Sequence, residues 1–532
     1  MTNHNLYLRQ NILVEPLFNR WYAWSYLIAP ATAAMYLENW YLKILRTFIA
    51  TPQIHIAAQR NSAMKGGPFI DYPVERVADI KNLLEKTLQD NEPLLQLASA
   101  FKSFDEKLQT EAKGYSLETL YTEIPEPLQG YVELVYDLNN HPSIRLIEGL
   151  LYNSQYYRPS AQSITLSLIY QDNRPFVLTT PRFDAPQHLN LQIPFAHKSL
   201  DELFSMKTVP RAFSYIKELL NIQENNEKKF LSFFTKEAPH FNRIYEGKDI
   251  RIRYYGHACI LIQTSKTNIL TDPLISYKYD DHGIPRYTFE DLPEKIDYVL
   301  ITHNHQDHLL FEVLLQLRHK IGTIFVPRSG GGGLADPSLK LILKNVGFEK
   351  VIEIDEMEEI KIEDGKLIGI PFLGEHSDLN IRTKLASLIR LKGCSILCVA
   401  DSNNLQPKLY ERLHAIVGDI DVLFIGMECD GAPLTWLYGP LMTRSIPRKM
   451  DQSRRLDGSH YERAIDMVEC FNPKQVYVYA MGQEPWVSHL TSIFYTETSR
   501  PIVESNKLVE ECKRRGLVSE RLFGKKEIFL TA

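Results

Sequence analysis

The segment Ile301-Thr302-His303-Asn304-His305-Gln306-Asp307-His308 sets three imidazoles and a carboxylate within six residues. It closes an apolar run at 298–302 that reads as a buried strand, and an apolar helical run at 309–317 follows. In extended backbone the side-chain period is two, so His303 and His305 face the same way. Asp307 and His308 fall where the chain turns toward the helix and address a neighbouring position. One short loop can therefore serve two metal ions. Imidazole suits zinc, iron and copper, and a carboxylate adds a hard oxygen donor.

A metal pair needs more ligands, and strand ends on a rigid scaffold present them best. Gly374-Glu375-His376 follows a strand expected at 366–372, Asp401 follows one at 395–400, and His489 lies beyond one at 475–480. The first of these segments leaves two arrangements open. With Glu375 as ligand, four histidines and three carboxylates leave roughly one residual positive charge on a diferrous or oxo-bridged diferric pair. Such a hard donor set favours iron over zinc. With His376 instead, five histidines and two carboxylates form a dizinc site that would acidify a bridging water and attack a thioester, lactone or phosphodiester. Glu428, beyond a strand at 421–426, is a candidate for holding a substrate amine or for supporting a ligand. Trp436 and Tyr438 lie in a Pro- and Gly-containing loop that could cover the site. The run Arg444, Arg448, Lys449, Arg454 and Arg455 against the single acid Asp451 would suit an acidic partner surface.

The elements that must position these residues are legible from residue 246 onward. Short apolar strands are expected at 250–255, 259–263, 267–270, 297–302, 323–326, 366–372, 395–400, 421–426 and 475–480, with helices between them. Strands alternating with helices over 246–532 indicate one α/β domain. Residues 1–245 read as a separate mixed α/β domain. Within it the apolar spacing predicts a helix over 77–97, strands at 163–170 and 188–193, and a helix over 212–220. The uncharged stretch 21–37, interrupted by Pro30, is short for a membrane span and reads as a buried, aromatic-rich helical hairpin. Residues 21–41 are also expected to contribute a dimer interface or a partner dock.

Composition narrows the functional classes. The 532 residues carry a formal charge of −5, which excludes an electrostatic nucleic-acid binder. The six cysteines fall in the second half without C-x-x-C spacing and read as free thiols of a reducing compartment. No secretory leader and no membrane anchor are expected, and the cytoplasm is the expected location. No G-x-G-x-x-G fingerprint follows a strand, so electrons for any redox chemistry must come from outside the chain.

The H-x-H-x-D-H loop (His303, His305, Asp307, His308) and the Thr271-Asp272-Pro273 turn resemble the metallo-β-lactamase fold. That resemblance implies an αβ/βα sandwich with a dinuclear site at the mouth between its sheets. It assigns Asp401 as the bridging carboxylate and His489 as the last histidine, with Asp272 supporting a ligand rather than binding metal. Glutamate directly after Gly374, where hydrolytic members have histidine, is similar to the diiron β-hydroxylases of nonribosomal peptide and antibiotic pathways. This narrower resemblance implies a monooxygenase with two iron ions, joined by an oxo or hydroxo bridge, whose ligands are His303, His305, Asp307, His308, Glu375, Asp401 and His489. Dioxygen and external electrons would be co-substrates. The substrate would be an amino acid held as a thioester on a nonribosomal peptide synthetase carrier domain, and the protein would be a homodimer.

Overall fold

The computed structural model describes residues 5–240, 244–279 and 283–531. Two seven-stranded sheets form the second half of the chain. The first runs, edge to edge, Val351–Ile354, Ile321–Pro327, Ile296–Leu300, Asn268–Thr271, Cys259–Gln263, Ile250–Gly256 and Lys526–Leu530. The second runs Glu359–Ile362, Gly365–Ile370, Ala386–Leu391, Cys394–Cys398, Val422–Gly426, Gln475–Tyr479 and Val518–Arg521. Both sheets begin as antiparallel hairpins and continue as parallel strands.

The period-two alternation of each strand divides its side chains between two faces. Ile250, Ile252 and Tyr254 of one sheet meet Ile389, Ile396, Val422 and Phe424 of the other in a buried layer between the sheets. The opposite face of the second sheet packs Leu397, Leu423 and Val476 against the helices Pro407–Val417, Tyr461–Phe471 and Arg500–Arg514. The opposite face of the first sheet is covered by the helices Phe311–Leu317 and Leu339–Asn345, and beyond them by residues of the N-terminal half. This is the αβ/βα sandwich.

The N-terminal half shares that outer core. Strand Ile12–Phe18 is buried along its whole length and pairs antiparallel with Gln162–Leu168. The helix expected over 77–97 is two helices, Val77–Asp90 and Glu92–Glu111. The break falls at Asn91, where Pro93 opens the second helix because the first turn can spare an N–H. Residues 21–37 are buried as expected but form no hairpin. After a single turn at Ser25–Ile28, the chain is helical from Pro30 through a π-turn at Leu37–Tyr41 to Ala50. Trp21, Tyr22, Trp24, Tyr26, Tyr36 and Tyr41 lie in the chain's own core. These six aromatics therefore have no free face for the dimer interface or dock expected of them. Among the described residues, no helix is long and apolar enough to cross a membrane.

Candidate metal centre

The loops after the strands of both sheets converge at one end of the sandwich, the position where α/β sheets place their sites. His303, His305, Asp307 and His308 follow Ile296–Leu300, and Asp272 follows Asn268–Thr271. Glu375 follows Gly365–Ile370, Asp401 follows Cys394–Cys398, and Glu428 follows Val422–Gly426. Backbone strain concentrates here: Asp272, Glu375, Ala400 and Ala480 all have positive φ. Gly374 shows why a glycine must precede Glu375. Its φ is +72°, and a Cβ there would stand 2.5 Å from Asn403 Cβ.

Three overlapping groups of ligand atoms result. His303, His305 and Glu375 form one, His303, His308 and Asp401 the second, and His257, Asp307 and His308 the third. His305 Nδ1 lies 2.9 Å from Glu375 Oε1, and His308 Nε2 lies 2.9 Å from Asp401 Oδ2. Asp401 Oδ2 is also 3.8 Å from His303 Nε2, so this carboxylate stands between the two ends of the cluster. Burial would discourage charge on Asp307, but His308 and His257 hold its carboxyl well below the usual range. Burial pushes the Glu375 carboxyl up to about 7 against the opposing pull of His305.

The second nitrogen of each motif histidine has a partner that orients the ring. Thr302 Oγ1 donates to Asp272 Oδ2 at 2.6 Å, so it accepts from His303 Nδ1–H at 3.0 Å. His308 Nδ1–H donates to Asp272 Oδ2 at 2.8 Å. His305 Nε2 pairs with the buried Tyr438 hydroxyl at 2.9 Å. His303 Nε2 and His308 Nε2 are thereby left to the cluster as lone pairs, and His305 turns Nδ1 toward it. His303 Nε2, Glu375 Oε2 and Asp401 Oδ1 are buried without hydrogen-bond partners. Orphaned donor atoms of this kind fit bound metal ions and are costly otherwise.

Two histidines depart from the expected set. The structure does not bring His489 to the cluster. The chain turns back after Gln475–Tyr479 through Ala480 and Gly482, both at positive φ, and the helix Ser488–Thr491 aims His489 at Arg174 of the N-terminal half. His257, in the turn between Ile250–Gly256 and Cys259–Gln263, stands there instead, 3.1 Å from Asp307 Oδ2. Its Nδ1 accepts the Gly482 N–H at 3.1 Å, which puts the ring proton on Nε2, facing Asp307 Oδ2 and, also at 3.1 Å, His308 Nε2. The ring is thus arranged to orient that carboxylate. Its only sequence signal was a histidine in a hairpin turn at the ligand-bearing end of the sheet. His376 belongs to none of the three groups; its ring stacks on His305 at 4.6 Å and its Nδ1 faces Glu375 Oε2 at 3.1 Å.

Residues 7–239 match the diiron non-heme β-hydroxylase N-terminal domain, and residues 267–433 match the β-lactamase superfamily domain. The chain is 38% identical over 523 residues to the 4-amino-L-phenylalanyl-[CmlP-peptidyl-carrier-protein] 3-hydroxylase of Streptomyces venezuelae, covering 97% of this chain and 98% of that one. The chain belongs to the diiron β-hydroxylase family. The crystal structure of CmlA, a diiron β-hydroxylase from Streptomyces venezuelae, superposes with a TM-score of 0.94 at 37% identity, covering 99% of this chain and 100% of that one. A shorter similarity, 34% over 115 residues, links 22% of this chain to 45% of a UPF0173 protein of Pyrococcus abyssi.

Membership of a diiron β-hydroxylase family favours the oxygenase over the dizinc hydrolase, and the carboxylate-rich cluster fits iron. Asp272 yields a prediction here. In Asp272→Asn one acceptor oxygen remains where the carboxylate takes the Thr302 N–H on Oδ1 and both the Thr302 hydroxyl and His308 Nδ1–H on Oδ2, so an amide N–H must face one of these donors. Iron affinity should fall by about 10- to 100-fold with the fold retained, as measured by competition with a chelator. An unchanged affinity would mean that Asp272 does not set the His308 tautomer.

Proposed function

We propose that this chain hydroxylates the β-carbon of an amino acid tethered as a thioester to a nonribosomal peptide synthetase carrier domain. Glu375 carries the reading: its carboxylate, and not His376, completes the group with His303 and His305. In this reading His303, His305 and Glu375 would hold one iron and Asp307 and His308 the other, with Asp401 within reach of both. When bound, the iron pair supplies dioxygen activation, with electrons from an external donor.

The chain's own residues supply placement. A cavity of about 320 Å³ borders His305, Asp307, Glu375 and Asp401 on one side. Leu437, Leu456, Met481 and Ile493 add apolar groups to its wall, beside polar side chains that include Glu428, Asp430 and Arg455. Trp436 is 40% exposed at this cavity, where a tethered substrate would enter. Of the basic run, Arg454 donates to the Ser377 carbonyl and Arg455 pairs with Asp430. Arg444, Arg448 and Lys449 remain exposed and suit the acidic face of a carrier domain. A homodimer would have to use surfaces other than the buried 21–37 stretch. The cytoplasm, where carrier domains are charged, is the fitting location.

A panel of excised carrier domains, each charged with one of a set of amino acids that includes 4-aminophenylalanine, tests the reading. With iron, a reductant and air, intact-protein mass should rise by one oxygen atom on at least one charged carrier, while the free amino acids remain unchanged. Release of amino acid by thioester hydrolysis, or turnover of the free amino acid alone, would overturn it.

A further inference from the structure

The cavity beside the metal cluster holds one carboxyl that the cluster does not use. Glu428 Oε1 accepts the Asp430 backbone N–H at 3.0 Å, while Oε2 is buried without a hydrogen-bond partner. Glu428 lines the cavity together with Glu375, Asp401 and Asp430. The other acid at that end already has its cation: Asp430 pairs with Arg455 at 3.2 Å. Among the described residues no ion pair to Glu428 is formed. Its position is held firmly, because its carbonyl accepts the Gly458 N–H at 2.6 Å and the strand Val422–Gly426 leading to it is fully buried. Burial, with Asp430, Asp401 and Asp457 nearby, pushes its carboxyl up to about 8. A buried carboxyl among like charges is costly to ionise until a cation joins it.

An aminoacyl thioester brings such a cation. Its carboxyl group is masked by the thioester bond, so its α-ammonium is the charged group common to every amino acid so tethered. The ammonium is attached to the carbon next to the β-carbon, and a fixed anion at the cavity wall would therefore fix where the β-carbon stands relative to His305, Glu375 and Asp401. We infer that Glu428 is a positioning and specificity residue that binds the α-ammonium of the tethered substrate through Oε2, so that the enzyme selects aminoacyl over plain acyl thioesters. This inference rests on the carrier-tethered reading above. It does not depend on which side chain the amino acid carries.

The test compares two charges on one carrier: the amino acid turned over in the panel, and the same acid lacking its α-amine. Binding to the iron-loaded enzyme is measured under argon, so that no turnover intervenes. The wild type should bind the aminoacyl carrier about 30-fold or more tightly than the des-amino carrier, the range expected of a buried charge-assisted hydrogen bond. In Glu428→Gln this ratio should fall to within about threefold of unity while iron content stays at the wild-type level, and Glu428→Asp should restore part of it. Equal binding of both carriers by the wild type, which needs no variant, overturns the inference. So does a ratio that persists in Glu428→Gln. Failure of every charged carrier in the panel would instead overturn the carrier-tethered reading itself.

Discussion

Glu375→Ala should lose hydroxylation by about 10³-fold or more and lose iron with it, whereas His376→Ala should keep both. The expectation follows from where the two side chains point. Glu375 is 2.9 Å from His305 and 3.8 Å from His303, and its outer oxygen is buried without a partner. His376 belongs to none of the three ligand groups and lies against Glu375 and the Gly374 carbonyl. Removing Glu375 takes a negative charge from a buried site built to neutralise cations, a charge that the neighbouring His376 does not carry. Metal analysis and near-ultraviolet charge-transfer absorption of iron-reconstituted protein give the readout. Iron and absorption lost from His376→Ala and retained in Glu375→Ala would reverse the assignment and return the chain to the hydrolytic arrangement.

The second large effect lies where the two halves of the chain meet. Glu312, on the helix that leaves the H-x-H-x-D-H loop, accepts from Tyr22 at 2.8 Å, from Tyr277 at 2.9 Å, and from Arg174 at 3.0 and 3.2 Å. All four side chains are buried or nearly so. Glu312→Ala would leave the Arg174 guanidinium with Glu15, at 3.8 Å, as its remaining carboxylate and two hydroxyls without their acceptor. The cost should be about 3 kcal/mol of unfolding free energy, because breaking a buried pair leaves its charge poorly compensated. Denaturant titration measures it, and a loss below about 1 kcal/mol would mean that Glu312 does not hold this junction. The neighbouring Glu15 gives the same junction a pH signature. Burial would raise its pKa, yet Arg182 holds it down at about 2. Its contribution is present above the unfolded carboxyl value and is lost as pH falls from there toward 2.

The legible parts of the fold were those specified locally. The H-x-H-x-D-H loop, Glu375 and Asp401 each follow an apolar strand whose pattern spans a few residues, and the structure gathers them at one end of two sheets. The strands at 250–256, 259–263 and 422–426 needed only their own periodicity. His257 and His489 show the limit. His257 stands alone in a hairpin turn, and what makes it relevant is the Gly482 N–H, 225 residues away, that sets its tautomer. His489 follows a strand in sequence, but two positive-φ turns and Arg174, from the other half of the chain, decide where it points. The 21–37 stretch was legible as apolar, yet what covers it is the remainder of the same core. Tyr438 was noted for a covering loop, whereas the structure gives it a definite partner in His305.

The most direct measurement is the origin of the added oxygen. Iron-loaded protein is mixed with the charged carrier and a reductant under ¹⁸O₂ in ordinary water, and the mass of the tethered amino acid is followed. Incorporation of one ¹⁸O atom at the β-carbon, with the thioester intact, is the predicted result. No uptake of labelled oxygen, together with amino acid released by hydrolysis, would contradict the account.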